Sequence, residues 1–420
     1  MNPLFLLLPL AAPAQGGLEL VDFLPSVQDE QRYGASFADL GDIDFDGVSD
    51  FAIGSPGFVP AAWSWGGGQV EVRSGADRSL LYTVDPIAGV DSLLGLKLMT
   101  IGDIDHDGAK DFFVGAGGHE AGYLISSRTG FRMYTVETYS LGQVGMEVTL
   151  VGDVNGDNLP EFAIGLPFEV VDGKTAAGRL LLCDGATGLV LKEHHGSVRH
   201  QRMGAILCGP GDLDGDGIPD LLSSGVDGAS FAGEGVTAYS GTDLQEIMAL
   251  SRHTLRLDIC DMDAFRDFNG DGTVDWLATG YRGNEEGNWM QGMTRVVSGT
   301  DGSTLAEIEG GQFEEFGRDA TSLGDVNGDG ISDFAVMGLD LNHNWQSTPR
   351  VRIFDGSDAT EITRVEGDIA SFFVVNIYAV NDLDADGRDE VVIAISDDQI
   401  GGGTQGFEPG GEIYLVGVTR

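Results

Sequence analysis

Asp325, Asn327, Asp329 and Asp333 occupy positions 1, 3, 5 and 9 of the stretch Asp325-Val-Asn-Gly-Asp-Gly-Ile-Ser-Asp333. Alternating carboxylate and amide oxygens on a tight turn can wrap a hard cation. Calcium takes six to eight oxygens at about 2.3–2.6 Å, and such a loop supplies them. Gly330 at position 6 meets the need for a residue tolerant of positive φ. Ile331 at position 7 would offer only its backbone carbonyl.

The loop recurs seven times, starting at Asp42, Asp103, Asp153, Asp212, Asp267, Asp325 and Asp382. Its further ligand positions are Asp44, Asp46 and Asp50; Asp105, Asp107 and Asp111; Asn155, Asp157 and Glu161. They continue as Asp214, Asp216 and Asp220; Asn269, Asp271 and Asp275; Asp384, Asp386 and Glu390. These residues are the candidate metal ligands, for up to seven Ca²⁺. An EF-hand also opens on D-x-D-x-D-G, but it needs a bidentate Glu at position 12 and flanking helices. Position 12 here is Ile53, Val114, Ile164 or Val336 in four copies. Each lies in an apolar run such as Phe51-Ala-Ile-Gly that reads as a short buried strand. The helical reading fails.

The elements that must position these loops follow from the spacing. Successive copies are 61, 50, 59, 55, 58 and 57 residues apart. That period suits four short strands with their loops, the blade of a β-propeller. Each repeat has one grammar. An apolar or aromatic residue and Gly precede the loop, as in Tyr33-Gly34, Leu94-Gly95, Val144-Gly145, Met203-Gly204 and Phe316-Gly317. After the loop comes a strand ending in Gly, at Gly54 and Gly165. A third strand runs into a turn at Gly75 or Gly299, and a fourth apolar strand such as Leu80–Val84 completes the unit.

This grammar resembles the FG-GAP repeat of the integrin α-subunit amino-terminal propeller and its bacterial secreted relatives, over roughly residues 18 to 420. The resemblance implies an all-β, seven-bladed propeller with calcium in the loops between first and second strands. Three repeats depart from the pattern. Asp258-Ile259 and Phe373-Val374 replace the aromatic–Gly pair, and Asn158 stands where Gly is usual, though Asn tolerates the left-handed region. The chain ends on an apolar strand, Gly411–Val418, with no fourth strand behind it. It begins with the orphan strand Leu18–Leu24. Pairing the two would close the ring and hide two sheet edges.

The formal net charge is -44, and 25 of the 67 acidic residues sit at the ligand positions of the loops. Seven bound Ca²⁺ would bring the charge to -30; the remainder is an acidic surface. Nucleic acid is disfavoured as a partner, because phosphates demand a basic face. Residues 1–14 read as a signal peptide, with an apolar core at Leu4–Leu8 with Leu10 and Ala12-Pro-Ala14 as cleavage pattern. No later stretch is long enough to span a bilayer. Secretion, or a place at the cell surface or in the periplasm, is therefore expected, and so is a monomer. Cys183, Cys208 and Cys260 read as small buried residues, with a Cys208–Cys260 bridge as the lesser alternative.

Antiparallel strands sort the loops by face. The calcium loops share one face with the turns between third and fourth strands. The opposite face holds Trp63, Trp65, Trp289 and Trp345, four of the five Trp, with Phe168, Phe231 and Phe407 in equivalent loops. Such rings make a recognition surface, or else fold back to plug the loop bases. The same face carries a reversal of charge: Lys192–Arg202 and Arg252–Arg256 hold five of the 23 Lys and Arg and four of the seven His. His195, Arg199, His200, Arg202 and Arg252 would suit a carboxylate or sulfate group. A solvated loop balancing nearby acids is the plainer explanation. No catalytic motif stands out. The expectation is a non-enzymatic ligand-binding module of adhesion type, taking an extracellular protein or carbohydrate. A lectin or a carbohydrate-active enzyme, for example a polysaccharide lyase, is the alternative.

Overall fold

The computed structural model describes residues 17–25, 32–59, 67–87, 93–116, 121–137, 147–226, 233–282, 291–311, 314–341, 347–366, 373–381, 390–397 and 412–419. They form seven four-stranded antiparallel sheets, so the chain is a seven-bladed β-propeller. Blade one consists of the strands Ser36–Gly41, Asp50–Ser55, Gln69–Arg73 and Leu80–Val84, paired in sequence order. Five further blades repeat that order.

The seventh is built from both ends of the chain. Its sheet runs from Phe373–Val380 through Glu390–Asp397 and Glu412–Thr419 to Gly17–Pro25. Gly17 lies opposite Thr419 and Pro25 opposite Glu412, with a register shift between Leu20 and Asp22.

Second strands are buried on both faces, which is why they read as unbroken apolar runs rather than alternating ones. In Asp50–Ser55, Asp111–Ala116 and Glu161–Leu166 every residue is buried. Their side chains enter apolar clusters that each join two blades. Leu40, Val72 and Phe112 link blades one and two, and Phe113 with Phe162 and Leu181 links two and three. Phe334, Phe354 and Leu277 join five and six. Leu24, Ile413 and Val392 of the last blade pack with Tyr33, Phe37 and Phe51 of the first. The apolar seam thus runs right round the ring.

The paired glycines of the repeat have a packing cause. A Cβ on Gly165 would lie 1.9 Å from the Gly204 carbonyl oxygen, and one on Gly54 2.1 Å from that of Gly95. Backbones of neighbouring blades therefore touch where the second strand of one meets the Gly before the next loop. Gly95 and Gly204 have φ of +82° and +80°, closed to most side chains. In repeat five, where Asp258-Ile259 replaces the pair, the first strand Leu257–Ala264 buries Leu257 and carries a bulge between Ile259 and Asp261. Asn158 adopts φ +70°, in the left-handed region open to Asn.

A four-residue helix, Arg252–Leu255, leads into blade five where the sequence reads as a loop; Ser251 Oγ caps it by accepting from Thr254 N at 3.1 Å. All three cysteines are free, Cys183 and Cys208 buried and Cys260 half-buried, so the Cys208–Cys260 bridge does not form. Among the described residues no helix is long and apolar enough to cross a membrane. Residues 1–14 lie outside the described residues.

Candidate metal centres and the opposite face

The acid at position 9 organises each loop. In loops one to six it opens or directly precedes the second strand, is buried, and takes backbone hydrogen bonds from two directions. Asp50 Oδ2 accepts from Ile43 N at 2.8 Å and Asp44 N at 3.2 Å, while Oδ1 accepts from Gly75 N at 2.8 Å. Asp111, Asp220, Asp275 and Asp333 repeat the pattern, reaching Ser127 N, Gly241 N, Gly299 N and Gly356 N at 2.8–3.1 Å. Glu161 accepts from Val154 N at 2.7 Å. Burial raises these carboxyls even against the pull of the amides: Asp111, Asp220 and Asp333 are pushed up to about 6. Asp50, Glu161 and Asp275 are raised for the same reason. Position 1 shapes the turn; Asp42 accepts from Asp46 N at 3.0 Å and Gly47 N at 2.9 Å.

Positions 1, 3 and 9 converge in three loops. Asp42, Asp44 and Asp50 bring carboxylate oxygens within 4.8 Å of one another, as do Asp103, Asp105 and Asp111, and Asp212, Asp214 and Asp220. Asp46, Asp107 and Asp216 at position 5 stand beside these groups, each accepting from the amide two residues on. In loop three the group within 4.8 Å is Asp157, Glu161 and Asp184, and Asp153 accepts from Gly156 N and Asn158 N. Asp184 escapes sequence reading because it lies in the turn after the third strand and looks like an ordinary turn residue. Loops five and six, with Asp267, Asn269, Asp271 and Asp275, and Asp325, Asn327, Asp329 and Asp333, form no such carboxylate triad. The position-3 asparagines donate to carboxylates in all three Asn-bearing loops, Asn155 to Glu161 at 2.9 Å, Asn269 to Asp271 at 3.0 Å and Asn327 to Asp355 at 3.1 Å. Asp382, Asp384 and Asp386 lie outside the described residues; Glu390 is buried at the head of its strand.

The donor set is all oxygen and mostly anionic, which fits a hard divalent cation and not a thiophilic or imidazole-seeking metal.

A second set of acids lines the ring's axis, on first strands. Lys97 Nζ lies 3.3 Å from Glu147 Oε1, and Lys97 also feels Asp261 and Asp319 from blades five and six. Asp261 Oδ2 accepts from Ala320 N at 3.1 Å, Asp263 Oδ2 from Ser322 N at 2.7 Å, and Asp319 Oδ2 from Ile377 N at 2.8 Å. These bonds tie blade five to six and six to seven. Burial pushes Glu147 and Asp263 up to about 7. It also raises Asp261 and Asp319. At the loop end, Phe37, Asp39, Thr100, Lys110, Thr321 and Tyr378 border a cavity of about 320 Å³.

On the opposite face, Trp63, Trp65, Trp289 and Trp345 lie outside the described residues, as do Phe231 and Phe407. The cationic connection is described. Its end runs parallel to the blade-three loop, with His200 N donating to Thr175 O and Arg202 N to Ala176 O, both at 2.9 Å. Arg199 and His200 are exposed, and Arg202 lies over the Phe168 ring at 5.3 Å. Phe168, Val170 and Val198 are exposed beside them, at 40%, 58% and 49%. His195 points to Glu193 at 3.5 Å, and Arg252 lies 3.8 Å from Asp258. The structure thus groups Arg199, His200 and Arg202 with an apolar patch, whereas His195 and Arg252 have acidic neighbours of their own. Trp276 is fully buried.

No protein-family model matches the chain. It is similar to three curated proteins. Integrin alpha-PS2 of Drosophila melanogaster is 29% identical over 227 residues, 47% of this chain and 15% of that protein. Integrin alpha-5 of Xenopus laevis is 27% identical over 229 residues, 48% of this chain and 21% of that protein. Integrin alpha-X of Homo sapiens is 29% identical over 157 residues, 31% and 13% of the two chains. The match thus spans 13–21% of these relatives' length. With seven four-stranded blades and acidic loops between first and second strands, this chain is an integrin α-like β-propeller.

Proposed function

We propose that the chain is an exported ligand-binding module of adhesion type, stapled by calcium on one face and binding an anionic ligand on the other. The observation that carries this reading is the segregation of charge. Clustered carboxylates crowd the loop end, while Arg199, His200 and Arg202 stand with Phe168 and Val198 at the other end of a chain of net charge -44.

Calcium would be held by positions 1, 3, 5 and 9 of each loop. Its role there is structural: it neutralises carboxylates that repel one another and fixes the turn between first and second strands. A cation that binds only the folded state stabilises it by mass action, by about 2.7 kcal/mol per site at a hundredfold excess over Kd.

The ligand would bear carboxylate or sulfate groups, on a protein or a glycan. Guanidinium groups bind such anions in bidentate fashion, and the exposed Phe168, Val170 and Val198 add apolar contact. Trp63, Trp65, Trp289 and Trp345 would extend the same face. The chain would act as a monomer outside the cell, led there by residues 1–14.

Immobilised sulfated and uronate polysaccharides and acidic peptides, titrated with the purified chain, test this reading. Binding that weakens with salt and is lost in the R199A/R202A variant supports it. Full binding by that variant removes the cationic ridge from the account. Depolymerisation of the polysaccharide, abolished in H195A or H200A, would replace the binding module with an enzyme.

A further inference from the structure

We infer that Asp184 and Asp355, in the turns after the third strands of blades three and six, supply the carboxylate that their loops lack at position 3. The inference rests on the proposed calcium loops.

In blades one, two and four, position 3 is Asp44, Asp105 or Asp214, and the residue after the third strand is Ser74, Ser126 or Ser240. In blades three and six, position 3 is the neutral Asn155 or Asn327, and the turn residue is Asp184 or Asp355. The exchange restores four carboxylates to each site. Blade five is the exception, with Asn269 at position 3 and Ser298 in the turn, leaving three.

Both exchanged blades turn one carboxylate oxygen toward the loop, and among the described residues blade three alone gathers three carboxylates within 4.8 Å. One oxygen of the turn carboxylate caps its own turn: Asp184 Oδ1 accepts from Thr187 N at 2.8 Å, and Asp355 Oδ1 from Ser357 N at 2.7 Å. The other faces the loop: Asp184 Oδ2 lies 3.5 Å from Asn155 Nδ2, and Asp355 Oδ2 lies 3.1 Å from Asn327 Nδ2. Turn capping alone does not require a carboxylate, because Ser74 Oγ and Ser240 Oγ accept from the amide two residues on at 3.3 and 3.2 Å. Asn155 Nδ2 donates to Glu161 at 2.9 Å and to Asp157 at 3.2 Å, but one neutral amide does not offset three carboxylates, those of Asp157, Glu161 and Asp184, brought within 4.8 Å of one another, where like charges repel. In blade one the turn instead offers a donor, Ser74 Oγ to Asp46 at 3.3 Å. A cation among the three carboxylates gives Asp184 its reason, and calcium affinity is tuned by the number of charged ligands.

The experiment is calcium titration of the full chain by calorimetry and native mass spectrometry, with melting temperature measured in calcium and in chelator. D184S and D355S, which keep the serine cap of the other blades, should each weaken one site about tenfold or more. They should lower the melting temperature in calcium but not in chelator. N155D/D184S should recover the parent's affinity, and S298D should strengthen the weakest site. Parent-like calcium binding by D184S and D355S, or equal loss of stability in chelator, would overturn the inference. A parent chain that binds no calcium would overturn the underlying reading as well.

Discussion

Asp50 and Gly75 are joined across 25 residues of sequence by a 2.8 Å hydrogen bond from the Gly75 amide to Asp50 Oδ1. That bond ties a candidate metal loop to the turn between the third and fourth strands of its own blade. The other oxygen of Asp50 holds two amides of the loop itself. The position-9 acid is therefore part of the fold as well as of the proposed site, whereas the exposed Asp44 accepts from Asp46 N within its own loop, at 3.1 Å.

Substitution separates the two roles. D50A leaves buried amides without partners, each costing about 1–3 kcal/mol, so it should lower stability by several kcal/mol even in chelator. D44A should weaken calcium binding at loop one while leaving the melting temperature in chelator within about 2 °C of the parent. Chemical denaturation with and without calcium checks both. Equal losses in chelator would assign position 3 a structural role too.

Acid should strengthen the metal-free propeller. Glu147 and Asp263 hold their protons up to about 7, well above the unfolded values near 4. Between those limits the native state binds more protons than the unfolded chain, so stability rises as pH falls from 8 toward 5. In chelator the melting temperature should be higher at pH 5.5 than at pH 8, with a shallower slope in E147Q/D263N. In saturating calcium the gain should shrink or reverse, because protons compete for the loop carboxylates. A melting temperature that falls steadily on acidification in chelator would contradict this.

The architecture was legible because each blade announces itself locally. Four ligand positions, a Gly at turn and strand end, and an apolar run all lie within about one blade of sequence, and a period near 57 residues recurs. The orphan strand Gly17–Pro25 was readable too, since a lone apolar strand needs an edge to cover. Asp184 was not readable. It reaches Glu161 only through the fold of the third strand, and an aspartate before Gly185 looks like turn chemistry alone. The axial acids were hidden for another reason: which side chain of a first strand faces the channel depends on register. A bulge between Ile259 and Asp261 breaks simple alternation there. The grouping of Arg202 with Phe168 likewise required the parallel run of the blade-three loop beside the connection into blade four.

On the face away from the loops, charge should govern binding. R199A/H200A/R202A should lose most affinity for an anionic ligand, and the parent's affinity should fall as salt rises. W63A, W65A, W289A and W345A should weaken binding with calcium content and melting temperature unchanged. Surface plasmon resonance at two salt concentrations, paired with thermal melts, distinguishes the outcomes. A large stability loss from each Trp substitution would mean that the rings plug the loop bases, and the ligand face would then rest on the cationic ridge alone.

The central claim is that calcium holds the acidic end of the ring. Metal analysis of the chain purified without chelator, with its melting temperature before and after chelation, tests it most directly. The account predicts close to one calcium for each occupied loop, up to seven, and a melting temperature that drops sharply on chelation and returns with added calcium. Well under one calcium per loop, with a melting temperature indifferent to chelator, would contradict it.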